Sequence, residues 1–159
     1  MPAATLSEPE RQRIVLLVGL PGSGKSTWLE RTGLRALSSD SIREILADDP
    51  TDQSLNARVF ATLRFLLRQR LAIGRPVTYV DATHLSAEER RPYLTLAGAY
   101  GCDVEAVWFD VPAAVCQERN RSRARVVPPD AIERLSKKLV PPTMEEGFTK
   151  ITVVQWPAA

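Results

Sequence analysis

One short stretch of the chain is built to hold an anion. Gly19-Leu20-Pro21-Gly22-Ser23-Gly24-Lys25-Ser26-Thr27 has the spacing Gly, four residues, Gly-Lys-Ser, which is the phosphate-binding loop signature. Glycines let main-chain N–H groups turn inward around a phosphate where a Cβ would clash. A helix starting at about Lys25 aims its free N–H groups and its positive dipole end at the same anion. Lys25 adds a point charge for the outer phosphates of ATP or another nucleoside triphosphate, and the Ser26 hydroxyl suits Mg²⁺. Gly19, Pro21, Gly22, Ser23, Gly24, Lys25, Ser26 and Thr27 are the candidate nucleotide contacts. The competing reading is a glycine-rich turn with no ligand. The apolar run before the stretch and the helical start after it argue against that.

Three further groups can do chemistry beside such a loop. Asp40 and Arg43 are three residues apart, so on a helix start they face the same way. The carboxylate can take the proton of an attacking hydroxyl, and the guanidinium can hold a phosphate of the acceptor or stabilise the one in flight. Read blandly, they are an N-cap aspartate and an exposed arginine. Asp81 ends an apolar run and is placed to hold Mg²⁺ or its waters. The residue after it is Ala82, where many ATP hydrolases place a glutamate to activate water, and this points away from a hydrolase. Arg119, Arg121, Arg123 and Arg125 alternate with uncharged residues. On a helix Arg119 and Arg123 share one face, and a segment carrying them can close over ATP. Solvated cations at a helix C-terminus are the alternative. His84, the only histidine, is left without a role. Trp108 and Phe109 read as core, while Trp28 and Tyr93 fit either core or the flank of a base.

The elements that must position these groups alternate in type. Ile14–Val18 is a continuous apolar run, as in a strand buried on both faces. Residues 34–40 read as a second strand, capped by Ser39 or Asp40 into a helix over 41–47. Residues 52–73 have helical spacing and stop at Gly74. A third strand spans 76–81. Ser86 with Glu89 reads as a capping box for a helix to about Ala99, but Pro92 predicts a kink or a later start near Glu89. Residues 104–110 form a fourth strand, 112–121 a helix, 121–129 a basic connector, 130–139 a helix, and 151–154 a last strand. The alternation predicts an α/β protein with a central parallel sheet of about five strands and helices on both faces. Ligands of such sheets bind beyond the carboxyl ends of the strands, which puts Gly19–Ser26, Asp40 and Asp81 on one rim.

The 159 residues are read as a single domain, with residues 1 to about 11 as a mobile lead-in. A net charge of +2 gives no global argument for nucleic acid. No stretch approaches the length and apolarity of a membrane span, and no signal peptide pattern opens the chain. Cys102 and Cys116 lack CxxC partners, so reduced thiols and a cytoplasmic location are expected.

On these residues the sequence resembles the kinase domains of bacterial and phage 5′-hydroxyl polynucleotide kinases. The stretches that carry the likeness are Gly-Ser-Gly-Lys-Ser-Thr at 22–27, Ser-Ser-Asp-Ser-Ile-Arg at 38–43, Val-Asp-Ala-Thr at 80–83 and Val-Cys-Gln-Glu-Arg-Asn-Arg-Ser-Arg at 115–123. Glu146-Gly147-Phe148 before a strand belongs to it too. The resemblance implies a three-layer P-loop NTPase fold of adenylate-kinase type with an arginine lid. It implies Lys25 and Ser26 serving ATP and Mg²⁺, Asp40 as general base, Arg43 on the acceptor phosphate, and Arg119 and Arg123 as lid arginines, with Arg125 matching less closely. The family often has asparagine where this chain has His84. The expected activity is transfer of the γ-phosphate to the 5′-hydroxyl of DNA or RNA. The alternatives are a small-molecule kinase acting on a sugar, nucleoside or antibiotic, and a nucleotide-binding module without turnover.

Overall fold

The strand β1 (Arg13–Val18) is apolar at every position from Ile14 onward because both of its faces are covered. Ile14, Leu16 and Val18 pack into one cluster with Val59, Leu63, Leu67, Tyr93 and Ala97. Val15 and Leu17 pack into another with Val107, Phe109, Trp28 and Leu29. The computed structural model of the chain describes residues 11–123 and 127–156. The expected lead-in, except Arg11, and Arg125 lie outside the described residues.

After β1 come α1 (Lys25–Thr32), β2 (Ala36–Ser38), α2 (Ser39–Ala47), α3 (Asn56–Ala72), β3 (Val77–Asp81), α4 (Ala87–Tyr100), β4 (Asp103–Asp110), α5 (Ala113–Arg121), α6 (Pro129–Lys138) and β5 (Lys150–Gln155). Short 3₁₀ turns, Gln53–Leu55 and Met144–Glu146, precede α3 and β5. The five strands form one sheet in the order β2-β3-β1-β4-β5, and every pairing is parallel. This is the α/β architecture expected from the alternation of elements.

The register sets the site. Leu17 at the end of β1 pairs with Asp81, and so does Ser38 at the end of β2. The residues that follow each strand therefore emerge side by side on one rim. The link from β1 runs towards β2 and the link from β4 towards β5. Connections leaving in opposite directions open a crevice at the rim, which is where such sheets take ligands.

Several boundaries differ from expectation for local reasons. The second strand is only three residues, because Ser38 already caps α2 by accepting from the Ser41 amide at 3.2 Å. Asp40 thus sits in the first helical turn rather than at the cap. Residues 52–55 are an Asp52-capped 3₁₀ turn rather than part of α3. The helix α4 starts at Ala87, not near Glu89, and continues through Pro92. Ser86 accepts from the Glu89 amide at 3.1 Å, while the Glu89 carboxylate reaches past Ser86 to the Leu85 amide at 2.8 Å. The edge strand β5 is less covered than an inner strand, with Val153 exposed.

Candidate active site

The loop between β1 and α1 is shaped by its glycines. Gly22 and Gly24 have φ of 84° and 102°, the left-handed region that side chains avoid. A Cβ on Gly22 would lie 2.7 Å from the Cys116 carbonyl oxygen, and one on Gly19 would lie 2.6 Å from Ser23 Oγ. Gly24 is the cap of α1, and the first backbone bond of that helix is Trp28 N–H to the Gly24 carbonyl, 2.9 Å. The amides before Trp28 are therefore not consumed by the helix. No acidic residue occupies the first turn to neutralise the dipole. Ser23 Oγ is buried and has no hydrogen-bond partner. An orphaned hydroxyl, unspent amides and a cradle that a Cβ would fill suit the phosphates of a nucleotide.

Lys25 Nζ donates to the carbonyls of Gly19 and Leu20 at 2.7 and 3.0 Å. Burial pulls its pKa down to about 8, against the attraction of the nearby Asp81, Cys116 and Asp40. Asp81 shows the reciprocal pattern. Burial raises its carboxyl and the Lys25 cation opposes that rise. Ser26, exposed on the first turn of α1, and Asp81 carry oxygen donors of the hard type that could hold Mg²⁺.

Asp40 and Arg43 are joined across one turn of α2, Arg43 Nη1 to Asp40 Oδ1 at 2.7 Å. The Arg43 side chain is only 4% exposed, while that of Asp40 is 59% exposed. Arg43 Nη2 donates to Asn56 Oδ1 at 2.8 Å, and Arg43 Nε is buried with no partner. An arginine so enclosed keeps its fork in one orientation, with its Nε–H still unspent.

On the opposite wall, Arg119 Nη1 reaches the Gly22 carbonyl at 3.4 Å, and its guanidinium lies 4.7 Å over the Trp156 ring. Arg123 follows the end of α5, is exposed, and acts electrostatically on both Lys25 and Asp81. The base of this segment is clasped by Asn120, which is buried, accepts from the Val127 amide at 2.8 Å and donates to the Val127 carbonyl.

His84 is buried rather than an open rim residue. Its φ is 49°, Nδ1 bonds the Leu17 carbonyl at 2.7 Å, and its ring meets Tyr93 edge-on with centroids 5.1 Å apart. Burial lowers its pKa to about 4. Arg90, fully buried, donates to the His84 carbonyl at 2.8 Å and grips both carboxylate oxygens of Glu146 at 2.8 and 3.1 Å. With the Gly19 amide bonded to the Thr83 carbonyl at 3.0 Å, these contacts brace the turn after Asp81 against the phosphate loop. Tyr93 is core and cleft wall at once. Trp28 packs on Tyr79 and Phe109 and also borders the cleft.

Most of these groups, but not Arg90, Asn120 or Glu146, line one cleft of about 1920 Å³. It brings together Pro21, Gly22, Ser23, Gly24, Lys25, Ser26, Thr27, Asp40, Arg43, Asp81, Arg119 and Arg123, while the predicted contact Gly19, packed against Ser23, is not on its lining. Such a volume exceeds that of an ordinary single-ligand pocket, on the order of 300–1,000 Å³, so it has room for a donor and an acceptor. Sequence reading missed Asn56, Arg64, Arg90 and Trp156. Polar residues on helices and an aromatic after a strand give no local signal of what they face.

A phosphate loop leading from the inner strand of this parallel sheet into a helix, with an arginine-bearing segment across from it, defines a P-loop kinase fold. Residues 14–142 match the AAA_33 family, an AAA domain, and the chain belongs to that family. Two curated relatives match over most of its length. One is the transcription factor bHLH140 of Arabidopsis thaliana, 30% identical over 94% of this chain and 17% of its own. The other is the bifunctional polynucleotide phosphatase/kinase of Schizosaccharomyces pombe, 23% identical over 91% of this chain and 34% of its own. The chain thus spans about a sixth and a third of these relatives. Among solved structures, a chain of the Pnkp1/Rnl/Hen1 RNA repair complex matches with a TM-score of 0.71 and 22% identity, over 86% of this chain and 47% of that one. A gluconokinase from Sinorhizobium meliloti 1021 matches with a TM-score of 0.60 and 19% identity, over 96% and 86%. At these identities the structural likenesses concern the fold. No described helix is long and apolar enough to cross a membrane.

Proposed function

We propose that the chain is an ATP- and Mg²⁺-dependent phosphotransferase that moves the γ-phosphate to the 5′-hydroxyl of a polynucleotide. The observation that carries this reading is the Asp40–Arg43 pair, with its exposed carboxylate and enclosed guanidinium, on the same cleft as the phosphate loop. ATP would supply the phosphoryl group, and Ser26 and Asp81 are the residues that would hold a Mg²⁺ ion, whose charge would offset that of the phosphates. Asp40 accepts the proton of the acceptor hydroxyl as its oxygen bonds to the γ-phosphorus and the bond to the β-phosphate oxygen breaks, releasing ADP. Arg43 holds a phosphate of the acceptor strand. Lys25, Arg119 and Arg123 face the charge that spreads over the transferring group, and Arg125 joins them by resemblance.

The relative named as a polynucleotide phosphatase/kinase supports this acceptor, and the sequence stretches at 38–43 and 115–123 support it independently. The gluconokinase, matched over most of both chains, supports a second reading in which the acceptor is a small alcohol. Transfer of labelled phosphate from ATP, screened over 5′-hydroxyl oligonucleotides, sugars and nucleosides, separates the two. Labelled oligonucleotide is the expected result. Transfer only to a monomeric alcohol refutes the polynucleotide reading. Absence of transfer to any acceptor, with nucleotide still bound, leaves a binding module.

A further inference from the structure

Resting on that reading, we propose that the groove between α3 and α4 is a track for the phosphodiester backbone of the acceptor strand, so that a polymer is held more tightly than a free nucleotide. The groove is lined by Arg64 and Arg68 from α3 and by Glu88, Arg91, Pro92, Thr95, Leu96 and Ala99 from α4. It is continuous with the candidate active site, because Arg64 and Pro92 also line the large cleft. From the enclosed Arg43 the cations run outward through Arg64 to Arg68 and Arg91.

The spacing suits a strand. Arg64 and Arg68 are one helical turn apart, about 6 Å along α3, on one face. Arg91 comes from the facing helix. Among the described residues none of these three arginines forms an ion pair, and Glu88 is the single acid lining the groove, leaving two net positive charges. Unpaired guanidiniums around a floor of Pro92, Leu96 and Ala99 are ready for bidentate phosphate contacts. A small alcohol in the cleft would not reach Arg68 or Arg91, which lie outside its lining. Arginines on helix surfaces are otherwise ordinary solvated charges, so the claim is tested by what they bind.

The experiment uses the full chain and the double variant Arg68→Gln/Arg91→Gln, both positions lying outside the cleft. Binding of 5′-hydroxyl DNA and RNA oligonucleotides is measured by fluorescence anisotropy across a salt series. Phosphate transfer to the oligonucleotide is compared with transfer to a minimal acceptor, a nucleoside 3′-monophosphate. Each lost single-strand phosphate contact lowers the slope of log affinity against log salt by about 0.7, so the double variant should lose about 1.4. At about 0.1 M salt this corresponds to roughly 25-fold weaker oligonucleotide binding, with kcat/KM for the nucleoside monophosphate unchanged. A stronger effect with DNA or with RNA identifies which strand the groove takes. Equal affinity and slope in variant and wild type overturn the track, even when transfer to the minimal acceptor shows that the kinase reading stands. Failure of the wild-type chain to bind any oligonucleotide overturns it as well. Transfer confined to a sugar or free nucleoside overturns the polynucleotide reading with it.

Discussion

Replacing His84 by asparagine tests the turn that follows Asp81. The imidazole is 3% exposed, bonded through Nδ1 to the Leu17 carbonyl at 2.7 Å, and its Nε2 has no partner. Lys25 and Arg90 add repulsion to the burial that holds its pKa at about 4 rather than 6.5. The folded state therefore keeps the ring neutral where the unfolded chain protonates it. Stability is unaffected above about 6.5, is lost as pH falls from 6.5 to about 4, and changes no further below that. At 1.36 kcal/mol for each pH unit the loss is ~3 kcal/mol, a large part of the 5–15 kcal/mol that holds an ordinary domain together. Asparagine tolerates the positive φ of this position and can donate its amide to the same carbonyl, but it does not titrate. Urea unfolding of wild type and His84→Asn, taken from about pH 7 to about pH 4, should show wild type losing ~3 kcal/mol relative to the variant. Carboxylates such as Glu146 titrate in both proteins and cancel in the comparison. Parallel stability curves would refute the buried neutral histidine.

Asp40→Asn should lower phosphate transfer by roughly 10²–10⁴ while a fluorescent ATP analogue binds as before, since a positioned base is worth about that much. Gly22→Ala places a methyl 2.7 Å from the Cys116 carbonyl at a φ of 84°, so analogue binding should weaken at least tenfold and the melting temperature should fall, about 1–2 kcal/mol coming from the backbone alone. Arg90→Met strands the Glu146 carboxylate and should cost about 3–5 kcal/mol in urea unfolding. Arg90→Met/Glu146→Leu should recover part of that, and no recovery would mean that Arg90 acts through packing alone.

Much of the fold was legible because single residues dictate it. Ile14–Val18 has no polar position to offer solvent, so it had to be an inner strand. Gly22 and Gly24 spell out a backbone that other residues resist, and Val59, Leu63, Leu67 and Leu71 mark the buried stripe of α3. The placement of the candidate site was legible where a residue follows a strand, as with Lys25 and Asp40, which both line the cleft. What stayed hidden depends on contacts between distant segments. Arg90 and Glu146 are 56 residues apart, and nothing local distinguishes a buried arginine from a solvated one. No role for His84 was legible, because the contacts that bury it, with Leu17 and Tyr93, come from other elements. Pro92 was expected to kink α4 or to delay its start to near Glu89. The start is not delayed, because the missing proline donor removes a single bond that tertiary packing outweighs.

The wall behind Gly22 is the main chain of α5 at Cys116, and α5 is the helix that carries Arg119. The floor of the anion seat and the root of its guanidinium partner therefore share one rigid joint, set by backbone against backbone instead of by side-chain torsions. Enlarging Cys116, whose fully buried thiol donates to the Val111 carbonyl, would push that joint apart.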